Sequence, residues 1–251
     1  MVADGDTDAL RDVPAQQLLF LRQEQASDTP HGGRGQSDLL THLSEVRWIL
    51  KHRLGCNDSE LLGAASMHSI YGTEGFQGRT VSLERRGEVR ALIGERGEAC
   101  AYLNCVMERA SLDAGVRELR ARPDETKFVI RSRPEVGDEE IVLTRAQLLE
   151  LCLVHFADWA QQVAAYSFWS YRRAAYASLA AALGGRCAQV YAETMAGEPD
   201  DAPADLPEMV RARQLGIFEQ AQSGVVTNEQ LWALNARPAR GTAHPGDYGF
   251  S

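Results

Sequence analysis

Apolar residues recur along this chain at intervals of three and four, the period of helices that each bury one face. Leu18, Leu19 and Leu21 form the apolar side of a first helix over residues 15–25, with Pro14 suited to its opening turn. Pro30 and the glycines around it end that helix. A second, over 36–53, aligns Leu39, His42, Val46 and Ile49 and is stopped by Gly55. Asn57 and Asp58 are good caps for a third, over 59–70, in which Leu61, Ala64, Ala65 and His68 share a face. Gly72, Gly75 and Gly78 break the pattern. Ser82 can cap a helix to residue 92, and 95–109 gives another. Phe128-Val129-Ile130 and Ile141-Val142-Leu143 flank the turn-forming PEVGDEE and read as a β-hairpin near 126–144. Thr144 and Gln147 have capping-box spacing and open a helix running past 162. Helical stretches over 168–183 and on to about 195 follow. The expected fold is mainly α: a flexible start over 1–13, a helical bundle with one small hairpin over 14–196, and a linker with a C-terminal helical extension over 197–251. That extension could pack on its own chain, reach across a homodimer, or hang loose.

Two of the apolar faces carry a histidine. A histidine on a buried stripe needs a hydrogen-bond partner, a carboxylate or a metal, because leaving it unpaired costs kilocalories. His42 and His68, on successive helices joined by a short loop, could share one ion. On the helix after the hairpin, Leu148, Leu151, His155, Asp158 and Gln162 line one stripe. The three-residue spacing puts His155 and Asp158 where both could approach that ion, or simply pair with each other or with Arg109 or Arg145. An imidazole pair plus a carboxylate suits Fe(II), and also Zn(II) or Mn(II). His31 lies 11 residues before His42, which on a continuous helix would separate them by about 16 Å and prevent a shared ion. A loop folded back at Gly32, Gly33 and Gly35 would instead let His31 cover the pocket or touch substrate. His52 and His244 have no apolar context and are expected to face solvent.

The string from Ser69 to Phe76 is dense in functional groups. Glu74 is a candidate general base, and Tyr71, a turn beyond His68, could orient its imidazole or donate to an anion. The plain alternative is a helix cap and a glycine turn with Glu74 solvated. Thr73, His31, Arg109 and His155 are candidates for contact with substrate or for the layer behind the ligands. Arg109 is a candidate anion holder, or else half of a surface pair with Glu108 worth little.

Charge and composition narrow the partners. A net charge of -9 argues against nucleic acid and anionic membranes, leaving a small-molecule substrate. With 44% hydrophobic residues in 251, the chain has material for a sizeable core. Its acidic N-terminus lacks the basic and apolar regions of a signal peptide, and the Ala-rich segment near Leu179 is interrupted by Arg173 and Arg186. Five cysteines without paired spacing suggest reduced thiols in a cytoplasm.

The order of these features resembles the HD superfamily of helical metal-dependent phosphohydrolases, whose pattern is His, then His-Asp, then Asp. His42 matches the first histidine, His68 the second, and Asp158 within Phe156-Ala157-Asp158 the last aspartate. Ser69 stands where the family has its other aspartate. More closely, His31-Gly-Gly, Leu39-Leu40-Thr41-His42-Leu43 and His68-Ser-Ile-Tyr71-Gly-Thr-Glu-Gly-Phe76 look like an uncharacterised bacterial and fungal domain family distantly related to that superfamily. The resemblance covers about residues 31–162. It implies an HD-like helical bundle and a metal set of His42, His68 and Asp158, mononuclear because the bridging aspartate is missing. Three functions follow as expectations: a metal-dependent hydrolase or lyase acting on a small, anionic molecule, with Glu74 or Tyr71 moving a proton; an Fe(II) oxygenase on the same ligands; or a non-catalytic binding or scaffolding protein.

Overall fold

Polar caps set where the helices of this chain begin, and glycines where several of them end. The computed structural model describes residues 5–31, 37–76, 78–166 and 169–200. Helix α1 spans Gly5–Arg11 and α2 spans Ala15–Gln23. The two-residue strands β1, Pro30–His31, and β2, Ser37–Asp38, pair antiparallel, with His31 opposite Ser37. Helix α3, Leu39–Trp48, begins where the Asp38 carboxylate accepts the Thr41 amide at 2.8 Å, and runs into a π-helical turn over Ile49–Arg53. Helix α4, Ser59–Met67, is capped by Asp58, which accepts from the amides of Glu60 and Leu61.

Helices α5, Arg86–Ile93, and α6, Glu95–Val106, are separated by Gly94, whose φ of +84° suits glycine. Helix α7, Arg109–Ala121, has no counterpart in the periodicity reading. It exists because Met107 turns extended and bridges to Ser132, ending α6 early. Strands β3, Lys127–Arg131, and β4, Glu140–Thr144, form the expected hairpin, with Val129 opposite Val142. The capping box is realised at the start of α8, Arg145–Tyr166: Thr144 N donates to Gln147 Oε1 at 2.9 Å and Gln147 N to Thr144 Oγ1 at 3.3 Å. Helices α9, Arg173–Leu183, and α10, Gly185–Met195, complete the described chain.

The fold is mainly α, as the periodicity predicts, and its core is one continuous cluster around α8. Helices α3, α4, α6, α9 and α10 all pack against α8. The tightest pairing is α4 with α6. Glu60 of α4 caps α6 by accepting from the amides of Arg96 and Gly97 at 2.9 and 3.2 Å. Within the stretch expected to be a flexible start, residues 8–13 lie against α3. Ala9 and Val13 are buried, Arg47 donates to the Asp12 carbonyl at 3.0 Å, and Lys51 pairs with Asp12. Ala9 and Leu10 of α1, with Val13 just beyond it, seat this acidic stretch on α3.

Among the described residues no helix is long and apolar enough to cross a membrane. All five cysteines are free thiols. The extension beyond residue 200, with its expected helices, the homodimer contact it could make, and His244, lies outside the described residues.

Candidate metal centre

Three helices each deliver one donor to a common point. His42 comes from near the start of α3, His68 from the C-cap of α4 and Asp158 from the fourth turn of α8. All three are buried, at 0, 0 and 1% exposure. His42 Nε2 lies 3.0 Å from His68 Nε2, and Asp158 Oδ1 lies 3.3 and 3.4 Å from those two atoms. Two donor atoms about 2.1 Å from one ion stand about 3.0 Å apart at a right angle and about 3.4 Å apart at the tetrahedral angle. The observed triangle therefore has the edges of three ligands on one face of a single ion.

The hydrogen bonds behind the rings fix what those atoms present. His68 Nδ1 is 2.8 Å from the Ala65 carbonyl, which can only accept, so Nδ1 carries a proton and Nε2 is the nitrogen turned to the cluster. His42 Nδ1 is 2.9 Å from Gln161 Oε1, and the Gln161 amide nitrogen donates to Glu45 Oε2 at 2.5 Å. A carboxylate cannot donate, so the amide is oriented with its oxygen toward His42. His42 thus also keeps a proton on Nδ1 and turns Nε2 inward. Burial, first of all, holds the His42 imidazole below its ordinary pKa, although the hydrogen bond to Asp158 opposes this. Burial alone would raise the Asp158 carboxyl, but His68 and His42 outweigh it and hold the group well below the usual carboxylate range. The two Nε2 atoms and a carboxylate oxygen then face one another across the cluster. A proton on either nitrogen would relieve part of that triangle; a divalent cation satisfies all of it, and these residues fit one.

His31 arrives by a route that spacing along a helix did not anticipate. Pairing of β1 with β2 folds the intervening loop back, and the His31 ring stacks on His42, with centroids 4.0 Å apart, and meets Phe76 edge-on at 4.9 Å. It is 1% exposed, and its Nδ1 has no hydrogen-bond partner. Burial, reinforced by His42, keeps it neutral.

His155 takes the plainer of its two readings, though with different partners. Its Nδ1 donates to Asn104 Oδ1 at 3.2 Å, and Tyr176 donates to its Nε2 at 3.1 Å. The Asn104 amide in turn donates to the His68 carbonyl at 2.9 Å, where the Cys105 thiol also points at 3.0 Å. This chain anchors the backbone that carries His68. Gln162 donates to Asp158 Oδ1 at 2.7 Å. Of these supports His155 and Gln162 stood on a stripe visible in the sequence; Asn104, Gln161 and Tyr176 carried no signal.

The string after His68 is a scaffold. Gly72 has a φ of +78°, Thr73 Oγ1 accepts the Phe76 amide at 3.0 Å, and Phe76 is thereby set beneath His31. Thr73 contributes through this turn. Tyr71 donates to Glu98 at 3.3 Å, and burial pushes its hydroxyl pKa up. Glu74, expected as a general base, accepts the Arg109 backbone amide at 2.7 Å and so caps α7. The helix N-terminus attracts a carboxylate more strongly than a solvated turn would. Replacing Glu74 by Gln should accordingly lower stability by about 1 kcal/mol. Urea denaturation would measure it, with bound metal per chain unchanged; a loss of metal with stability intact would return Glu74 to the ion. His52, half exposed, lies 3.5 Å from Asp12. Arg109 is wholly buried, not a surface pair with Glu108.

No curated protein and no solved structure is significantly similar to the chain, and no comparison ties it to the HD superfamily. The span that brings His31, His42 and His68 together, ending at Arg109 and short of Asp158, is the part that a family model recognises: residues 20–109 carry a domain of unknown function, DUF6817.

Proposed function

We propose that this protein is a metal-dependent enzyme, in which His42, His68 and Asp158 hold one divalent ion and a small-molecule substrate reacts beside it by hydrolysis or related acid–base chemistry. The observation that carries this reading is the meeting of two imidazole Nε2 atoms and a carboxylate oxygen at 3.0 to 3.4 Å, with the rings fixed from behind at Nδ1. A bound ion of this kind acts as a Lewis acid and lowers the pKa of its water. The chain's own groups do the positioning. Gln161 and Glu45 keep the His42 tautomer, Ala65 keeps that of His68, and Gln162 steadies Asp158. His31, stacked on His42 with a buried and unpartnered Nδ1, is the side chain best placed to hydrogen-bond a reacting group. It takes over the position assigned from sequence to Glu74 and Tyr71.

A single ion also agrees with Ser69. This residue stands where the HD pattern has an aspartate, and its buried hydroxyl has no partner. A second reading, an Fe(II) oxygenase, is favoured by the donor set itself, since two histidines and one carboxylate on one face are a common iron(II) arrangement for oxygen chemistry. Elemental analysis of protein purified without an affinity tag separates the two. About one zinc or manganese per chain supports the hydrolytic enzyme, and about one iron with oxygen-sensitive spectra supports the oxygenase. Failure to take up any of these ions on titration overturns both.

A further inference from the structure

Arg109 is among the most deeply buried large side chains of the molecule, at 2% exposure. Among the described residues no carboxylate comes within 4.0 Å of its guanidinium, the reach of an ion pair. Its one side-chain hydrogen bond among them runs from Nη1 to the Tyr171 hydroxyl at 3.1 Å, although the group offers five N–H donors. The nearby carboxylates are engaged elsewhere. Glu74 accepts from the backbone amide of Arg109, and Asp113 accepts from Arg172 Nη2 at 2.6 Å.

Arg172 adds a second cation to the same corner. It stands in the left-handed region, with φ of +47°, which is strained for a side chain of its kind. That backbone turn brings Arg172 Nη2 to the Arg109 carbonyl at 3.4 Å and leaves Arg172 Nε buried without a partner. Arg172 thereby shares the corner with Arg109, although its own charge is paired with Asp113, whereas Arg109 has no ion pair among the described residues. A buried charge without a partner is costly, and natural sites of this kind hold a counter-charge.

The corner adjoins the ion ligands. Tyr176, whose ring lies 6.0 Å from the Arg172 guanidinium, donates to His155, and His155 connects through Asn104 to the His68 backbone. The charge of Arg109 is felt at both His155 and Asp158. Tyr171 and Arg172 are only half-buried, so the corner lies at the edge of the core.

We infer that Arg109 and Arg172 form an oxyanion subsite that takes a phosphoryl or carboxylate group through paired guanidinium N–H donors. Arginine suits this because its planar fork matches the oxygens of both groups. The subsite stands on the two arginines alone; its use as a handle for substrate rests on the metal-enzyme reading above. The substrate then carries an anionic group on the Arg109 side and its reacting bond near His31 and the ion.

Calorimetric titration of the full chain, stripped over a chelating resin, tests this with inorganic phosphate and with acetate as probes. Ionic strength is held with sodium chloride. Saturable binding of one equivalent of either oxyanion is expected, and the tighter of the two identifies phosphoryl or carboxylate as the preferred group. Arg109→Gln should weaken it by about tenfold or more, and Arg172→Gln, at a partly exposed position, by about threefold or more. Native protein that binds neither anion, or folded variants of both kinds that bind as tightly as native, overturns the inference. Oxyanion binding by a protein that takes up no metal would leave this subsite standing and remove the metal enzyme. Metal uptake without oxyanion binding would do the reverse.

Discussion

Asp158→Asn is expected to weaken binding of a divalent ion by about 100-fold or more, while the metal-free protein stays within about 1 kcal/mol of native stability at pH 8. The two halves of this result follow from one geometry. Removing the charge takes away the one anionic ligand, and with it the strongest attraction for a cation. With both rings neutral in the metal-free protein, the carboxylate would face two imidazole lone pairs, the Nδ1 atoms being held by Ala65 and Gln161. An amide in its place can turn an N–H toward them, replacing a repulsion with a hydrogen bond. The opposite result belongs to a structural ion pair. If Asp158 held a protonated histidine for stability, the substitution would strand a buried charge and cost about 3 kcal/mol or more. Metal titration and urea denaturation of the same stripped preparation measure both quantities. A large loss of stability with little change in metal affinity would show that the cluster is structural.

Gly97→Ala is expected to destabilise the protein by about 2–4 kcal/mol. A Cβ at this position would lie 2.6 Å from the Glu60 carbonyl oxygen and 3.2 Å from its carbon, both backbone atoms. Nothing flexible can give way, so α6 must move off α4. Since α4 ends at His68, the same displacement should reduce metal affinity. Gly87→Ala in α5 is the control. An added Cβ there meets nothing within 4 Å, and alanine is the better helix former by about 1 kcal/mol. Equal stability of the two variants in urea would refute the close contact of α4 with α6.

The convergence of His42, His68 and Asp158 was legible because each sits on an apolar stripe, and periodicity reports which face of a helix turns inward. What each side chain does there was partly hidden. Glu74 is chemically apt for a general base, yet residue type does not reveal that an amide of α7 lies within its reach. The start of that helix was invisible for a related reason: the run from 95 onward stays helical in pattern through Arg109, and only the bridge from Met107 to Ser132 breaks it. His31 was placed by chain length, which bounds a helix but says nothing about a loop whose two ends pair as strands. Arg109 shows the limit most clearly. Beside Glu108 it reads as an ordinary surface charge, and its burial depends on residues more than sixty positions away.

The turn at Gly72 to Phe76 has a mechanical consequence for both halves of the candidate site. One of its side chains props the ring stacked against the ion ligands, and another fastens the first amide of the helix that bears Arg109, 35 residues along the chain. A shift of that short segment would be transmitted to both at once, so this one turn couples the surroundings of His42 to the start of the Arg109 helix.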